Sequence, residues 1–395
     1  MTAKRLAVVS YFGEASSTPR GDRTQWLVRS LAREWEIELV AASLSPQVTR
    51  SRPGRRLHRR LAHSLHTMVL LDRFEPWSHR RLKAWEPRFS GAVLVGFPFS
   101  PLVYASRQLH AFGVPYVVDV GDPWVLTAPD PEPWGLALRR ARKAEHRLWS
   151  WSAGAIVTTS GQADRLGQRF PRMRVLVRPN GYAPLDPGTA EPQDPPTRDD
   201  SVLRLAHFGV NSSARADISR FARALSRSSA WERIELHQFG PDWTGALVGL
   251  EAEGWQTRLH DPLPWSEAVA IAGSFDAVLV IGNRDTSQLP SKASSYLQLN
   301  APRIAVVSGA PDDALREYVQ DRAGWIVVQT ADPQAAGRVA EHVGRPWKLE
   351  ALAPPPDESW EVVSARLAAF IGSCFRDEDE GSAVPVDVLD ERSHG

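Results

Sequence analysis

The sequence predicts an α/β protein built from two doubly wound domains, and three observations carry that expectation. Short aliphatic runs alternate with helical patterns through the first half of the chain, a proline-rich stretch interrupts them, and a second alternating set follows. Strands that are apolar on both faces and separated by helices fit a parallel sheet covered on both sides, which is the doubly wound arrangement. At 395 residues the chain also exceeds the length at which a single core usually keeps growing.

Residues 6–11 read as a first strand, 24–34 as an amphipathic helix, Glu36–Ala42 as a second strand and Gly91–Gly96 as a third. Helices are expected over 101–112 and 136–151, on either side of a strand at Tyr116–Val120, with another strand at 155–159. From 184 to 200, Pro184, Pro187, Pro192, Pro195 and Pro196 lie among Gly, Asp and Glu, the composition of an extended linker. The second set begins with a strand at Val202–Phe208, a helix over 217–227 and a strand over 234–239. It continues with Ala277–Ile281, a segment over 291–299, Arg303–Val307 and Trp325–Gln329. The expected division is therefore a first domain over 1–183, a linker over 184–200 and a second domain over 201–358. A C-terminal helix over 359–375 and an acidic tail over 376–395, with a disordered composition, complete the chain.

Charge and composition exclude several functions. Net charge is +1, hydrophobic content 43% and charged content 24%, values of an ordinary soluble globular protein. One cysteine, Cys374, excludes an intramolecular disulfide framework and fits a reducing, cytoplasmic location. Lys4-Arg5 precedes an apolar run that ends at Ser10, too short for a secretory leader and better read as a buried strand. The longest apolar candidate, 92–105, is interrupted by Gly96, Pro98 and Pro101, well short of the ~20 residues a spanning helix needs. Arg50, Arg52, Arg55, Arg56, Arg59 and Arg60 form a basic arm, read either as a solvated face or as a peripheral contact with an anionic membrane surface. Near-neutral charge and the lack of a recognition motif argue against nucleic acid as a partner.

In doubly wound sheets, ligands bind beyond the carboxyl ends of the strands. The sharpest signal there is the stretch from Gln288 to Leu297, which contains Pro290-Ser291-Lys292. Pro290 suits the start of a helix because it has no amide hydrogen to leave unpaired. The free amides of Ser291 and Lys292, with the helix dipole and the lysine charge, would suit a diphosphate. The same spacing also fits a capped helix with a solvent-facing lysine. His58, His63, His66 and His79 lack ligand spacing with carboxylates, and no Asp-x-Asp motif follows a strand, so no metal or cofactor is expected. Ser160-Gly161 lacks the surroundings of a hydrolase elbow, and Phe12-Gly13-Glu14 lacks the spaced glycines of a dinucleotide fingerprint.

Several motifs in chain order resemble the retaining glycosyltransferases of family 4, over roughly residues 6–370. Pro290-Ser291-Lys292 followed by Tyr296-Leu297, then Ala301-Pro302-Arg303-Ile304-Ala305, is similar to that family's donor-phosphate helix and next strand. Ala206-His207-Phe208-Gly209 with Arg215, Phe239-Gly240, and Pro264-Trp265 with Phe275-Asp276-Ala277 resemble further parts of its donor domain. In the first domain, Asp119-Val120-Gly121-Asp122-Pro123-Trp124, Glu145, Ala155 to Ser160 and Val177 to Tyr182 resemble polysaccharide-building members. The resemblance implies a GT-B fold, two Rossmann-like domains facing a cleft, and transfer of a sugar from a nucleotide diphosphate sugar to a glycan or lipid-linked acceptor with retention. On that basis Gly209, Arg215, Gly240, Pro290, Ser291, Lys292 and Ser295 are the expected donor-binding residues, Asp122 the catalytic one, and Trp26 and Trp124 surfaces on which an acceptor stacks. Two places depart from the family pattern. Its paired glutamates fall on Ser287 and Ser295, and a histidine common after the fourth strand falls on Gly121. These departures leave an inactive sugar-nucleotide-binding or scaffold protein as the alternative.

Overall fold

A computed structural model describes residues 4–12, 19–42, 81–126, 135–183, 199–212, 215–345 and 353–376. The basic arm, the four histidines from His58 to His79, linker residues 184–198 and tail residues 377–395 lie outside the described residues. The chain divides into two compact units, Met1–Gly181 with Trp360–Gly395, and Tyr182–Ser359.

In the first unit, β1 (Arg5–Phe12), β2 (Glu36–Ala42), β3 (Gly91–Gly96), β4 (Tyr116–Val120), β5 (Gly154–Val157) and β6 (Val175–Val177) form one parallel sheet, ordered β2-β1-β3-β4-β5-β6. Alternate residues of the central strands point to two separate apolar layers. Ala7, Val9, Leu94 and Val118 face α2 (Phe99–Ala111) and α3 (Gly135–Ser150). Leu6, Val8, Val93 and Val117 face α1 (Pro19–Leu31) and the C-terminal helix α11 (Trp360–Arg376). In α11 the residues Trp360, Val363, Leu367, Ile371 and Cys374 recur every three or four positions, so one stripe of the helix is buried. Helix α4 (Ser160–Arg169), absent from the sequence expectation, starts at Thr159, whose side chain accepts the Gln162 amide.

The second unit holds β7 (Val202–Phe208), β8 (Arg233–Phe239), β9 (Gln256–His260), β10 (Ala277–Ile281), β11 (Arg303–Val307) and β12 (Trp325–Gln329). They form a parallel sheet ordered β12-β11-β10-β7-β8-β9. Helices α5 (Ser219–Ser226), α6 (Ala246–Ala252) and α10 (Ala335–Gly344) cover one face. Helices α7 (Trp265–Ala272), α8 (Lys292–Ser295) and α9 (Ala314–Val319) cover the other. The chain builds outward from β7 to β9, then crosses back to β10. The strand order thus reverses between β7 and β10, where an open α/β sheet parts to admit a ligand.

One expected element is much shorter than its sequence suggests. The segment 291–299 contains only the four residues of α8, followed by a 3-10 turn at Tyr296–Gln298. Arg303, buried on the neighbouring β11, accounts for the stop: its guanidinium donates to the carbonyls of Tyr296, Leu297 and Leu299. Those last-turn carbonyls are held sideways instead of continuing a helical ladder.

Candidate functional site

The ends of β7, β8 and β10 meet at the reversal point of the second unit. Gly209 follows β7 at φ 115° and Gly240 follows β8 at φ 120°, left-handed backbone that favours glycine. The two loops are laced together. The Gly209 amide donates to the Phe239 carbonyl at 2.6 Å, the Asn211 amide to the Pro241 carbonyl at 3.0 Å, and Gln238 Nε2 to the Gly240 carbonyl at 3.2 Å. A Cβ on Gly240 would lie 2.9 Å from the Gly209 carbonyl oxygen, and one on Gly209 would overlap the end of the Lys292 side chain. Only glycine lets backbone and lysine approach this closely.

Lys292 reaches back from α8 over Gly209, and its Nζ lies 3.2 Å from His207 Nε2. His207 is fully enclosed in β7, 1% exposed, with Nδ1 3.0 Å from the Leu279 carbonyl oxygen. A carbonyl only accepts, so Nδ1 carries the proton and Nε2 presents its lone pair to the lysine. Arg215 lies beside them. Its Nη1 donates to Asn283 Oδ1 at 2.7 Å, while its Nε is buried without a hydrogen-bond partner. Asn283 is in turn fixed by donating from Nδ2 to the Gln288 carbonyl at 3.0 Å.

Among the described residues, these cations have no carboxylate in ion-pair contact. Burial, and then the charge of Arg215, hold the Lys292 ammonium well below its ordinary pKa. Burial, followed by Lys292, likewise holds the His207 imidazole well below its own, which keeps it neutral. The Tyr296 hydroxyl finishes the end of β7: it donates to the Phe208 carbonyl at 2.9 Å and accepts the Phe208 amide at 2.8 Å.

Among the expected donor residues, the structure brings Gly209, Gly240, Arg215 and Lys292 into one cluster. Pro290 is buried and Ser291 half-buried immediately before the lysine. Ser295 is half-buried one turn further on. Ser287 is buried, its hydroxyl donating to Asp285 Oδ1 at 2.6 Å. Because α8 spans four residues, its dipole is small, and the positive charge at this place is carried by the Lys292 and Arg215 side chains more than by a helix end. His207, Asn283 and Tyr296 complete the cluster. His207 and Tyr296 lie within motifs the sequence had singled out, whereas Asn283 carried no such signal.

In the first unit, Asp122 lies just past β4 and pairs with Arg20, whose guanidinium also sits 4.8 Å above the Phe97 ring. Asp119, three residues earlier, is fully buried against Arg23. Arg23 Nε and Nη2 each donate to it at 2.8 Å, and Nη1 reaches Asn180 Oδ1 at 3.1 Å. Glu145 anchors the following loop by accepting the Val125 amide at 2.8 Å and Trp149 Nε1 at 3.2 Å. Gly121 donates no side chain here; its carbonyl accepts Thr158 Oγ1 at 2.9 Å.

Trp124 and Trp26, each expected to offer a surface for an acceptor, pack on opposite faces of the first sheet. Trp124 is 8% exposed, with one face stacked on Phe99 at 4.8 Å and 4°, and it fills the core under α2. Trp26 packs on the opposite face of the sheet, beneath Arg29. Among the described residues no three histidine, cysteine or carboxylate side chains are grouped to hold a metal ion. No helix among them is long and apolar enough to cross a membrane.

The architecture has solved counterparts along almost its whole length. The lipopolysaccharide outer core galactosyltransferase WaaB, in its apo form, matches with TM-score 0.56 and 11% identity, over 93% of this chain and 99% of that one. Anabaena HepE in complex with UDP-glucose matches with TM-score 0.55 and 10% identity, over 95% and 98%. The N-terminal domain of Candida albicans trehalose-6-phosphate phosphatase matches with TM-score 0.58 and 10% identity, over 95% and 97%. No protein-family model matches the chain, and no curated protein matches it by sequence. At such identities the likeness establishes the fold: two Rossmann-like domains of the GT-B type.

Proposed function

We propose that this protein is a glycosyltransferase that draws a sugar from a nucleotide diphosphate sugar bound at the β7–β10 reversal point of its second unit. The observation that carries the reading is the pair of half-buried cations at that point, Lys292 and Arg215, which have no carboxylate ion pair among the described residues. Uncompensated buried charge is costly in an empty protein and is relieved by a polyanion. Gly209 and Gly240 keep the adjacent backbone free of side chains, so phosphate oxygens can come close. WaaB is a galactosyltransferase and HepE binds UDP-glucose, which supports a sugar nucleotide over other diphosphates.

During transfer, charge builds on the departing diphosphate, and Lys292 and Arg215 are fixed where they would stabilise it. Asp122, at the end of β4 in the first unit, serves the acceptor side by orienting a hydroxyl. Membership of the retaining family 4 enzymes rests on the motif order set out above, and retention follows from that membership. Calorimetric titration with UDP, GDP and ADP tests the donor site. Lys292→Met and Arg215→Ala should each weaken the preferred diphosphate by about 1.5–3 kcal/mol, the worth of a charge-assisted contact, while changing affinity for the free nucleoside little. Unchanged diphosphate affinity in both variants would place the donor elsewhere.

A further inference from the structure

The arrangement around Lys292 sets more than a positive charge. Three nitrogen groups from three elements converge: His207 from β7, Arg215 from the loop after it, and Lys292 from α8. Among the described residues, no carboxylate makes a hydrogen bond or ion pair with the lysine. His207 turns its lone pair toward Nζ, Arg215 adds like charge, and Asn283 beneath Arg215 is neutral. On its own helical segment, Tyr296 has its hydroxyl committed to the Phe208 backbone. Two carboxylates of the second unit are engaged with other groups: Asp285 accepts Ser287, and Glu358 accepts Tyr318 and pairs with Arg322 at 2.6 Å.

We propose that His207 is a positioning residue that aims Lys292 across Gly209, and that Lys292 takes up one proton from solvent when a diphosphate binds. This rests on the donor site proposed above. Without a bound anion, desolvation and the neighbouring Arg215 guanidinium both disfavour the charged amine, and His207 Nε2 holds it in place by accepting one of its hydrogens. A bound diphosphate supplies the missing counter-charge and the amine becomes an ammonium, with His207 Nε2 accepting one of its hydrogens throughout. Because His207 Nδ1 is held by the Leu279 carbonyl, its tautomer does not change as the lysine gains the proton. The sign follows from linkage: a group protonated only in the complex makes affinity fall as pH rises, by about tenfold per pH unit once the free lysine is neutral. Burial of Lys292 and the charge of Arg215 both lower its proton affinity in the empty protein, in the direction the coupling needs.

The full-length chain is titrated with UDP, GDP and ADP in buffers of differing ionisation enthalpy, from pH 8 upward, where the terminal phosphate of a nucleoside diphosphate is already ionised. The expected result is uptake of close to one proton per diphosphate, with affinity for ADP, whose base does not titrate in this range, declining as pH rises. Lys292→Arg, whose guanidinium stays charged across this range, should bind with no uptake and a flat profile. Lys292→Met should show weak binding and no uptake. His207→Leu should lose about tenfold or more in affinity, and His207→Gln, whose carboxamide oxygen can accept from Nζ, should regain most of it; circular dichroism confirms that each variant is folded. Tight binding without proton uptake overturns the inference and leaves the donor site standing. Uptake that persists in Lys292→Met, or wild-type affinity in His207→Leu, also overturns it. If no diphosphate binds the natural protein, the donor site itself falls, and this inference with it.

Discussion

Removing a single oxygen tests how the end of β7 is held. Phe208 is the last residue of β7, and the ladder to β10 stops earlier, at Ala206 opposite Val278. On that side the Tyr296 hydroxyl stands in for the absent strand, taking both the amide and the carbonyl of Phe208. Tyr296 is fully buried, so Tyr296→Phe keeps the packing and leaves two buried backbone groups without a partner. An orphaned buried group costs about 1–3 kcal/mol, and two sharing one pocket should together cost roughly 2–4 kcal/mol. For a domain of this size that lowers Tm by roughly 4–16 °C. Urea unfolding and calorimetry measure the loss, and hydrogen exchange at the Phe208 amide should accelerate more than exchange in the middle of β7. A loss below about 0.5 kcal/mol with unchanged Phe208 protection would refute the idea that the hydroxyl completes the strand.

Two further perturbations address other parts of the chain. Arg23→Met strands the buried Asp119 carboxylate and should destabilise the first unit by about 3–5 kcal/mol; adding Asp119→Leu should recover a good part of it in urea unfolding, and a double variant weaker than the single would contradict the pairing. His342 is buried on α10, and burial, followed by Arg345, pulls its pKa down to about 4. A histidine depressed in the folded state from 6.5 contributes stability that is present above pH 6.5 and lost as pH falls toward 4, about 3 kcal/mol in all. His342→Leu should therefore flatten the stability profile between those values relative to the natural protein, and parallel profiles would contradict this.

The alternation of short continuous apolar runs with helical segments was enough to set out two doubly wound units, because a strand buried on both faces leaves its mark on consecutive residues. β3, β4 and β10 are such runs, and each is fully buried. Glycines at strand ends and the Pro290-Ser291-Lys292 stretch likewise pointed to the cluster that forms at the ends of β7 and β8, since the strand-end rule depends only on knowing where strands stop. The sequence could not show strand order, and strand order turns the end of β7 into a reversal point beside β10. Nor could it show that α8 ends after four residues, because the stop is imposed by Arg303 from the neighbouring strand. Trp124 reads as an aromatic beside a strand end in sequence and is a core side chain stacked on Phe99 in space. Asp119 and Arg23, 96 residues apart, and His207 and Lys292, 85 apart, acquire their meaning only from each other. Local periodicity is written along the chain, whereas the proton affinity of a buried amine depends on which groups the fold brings within a few ångströms of it.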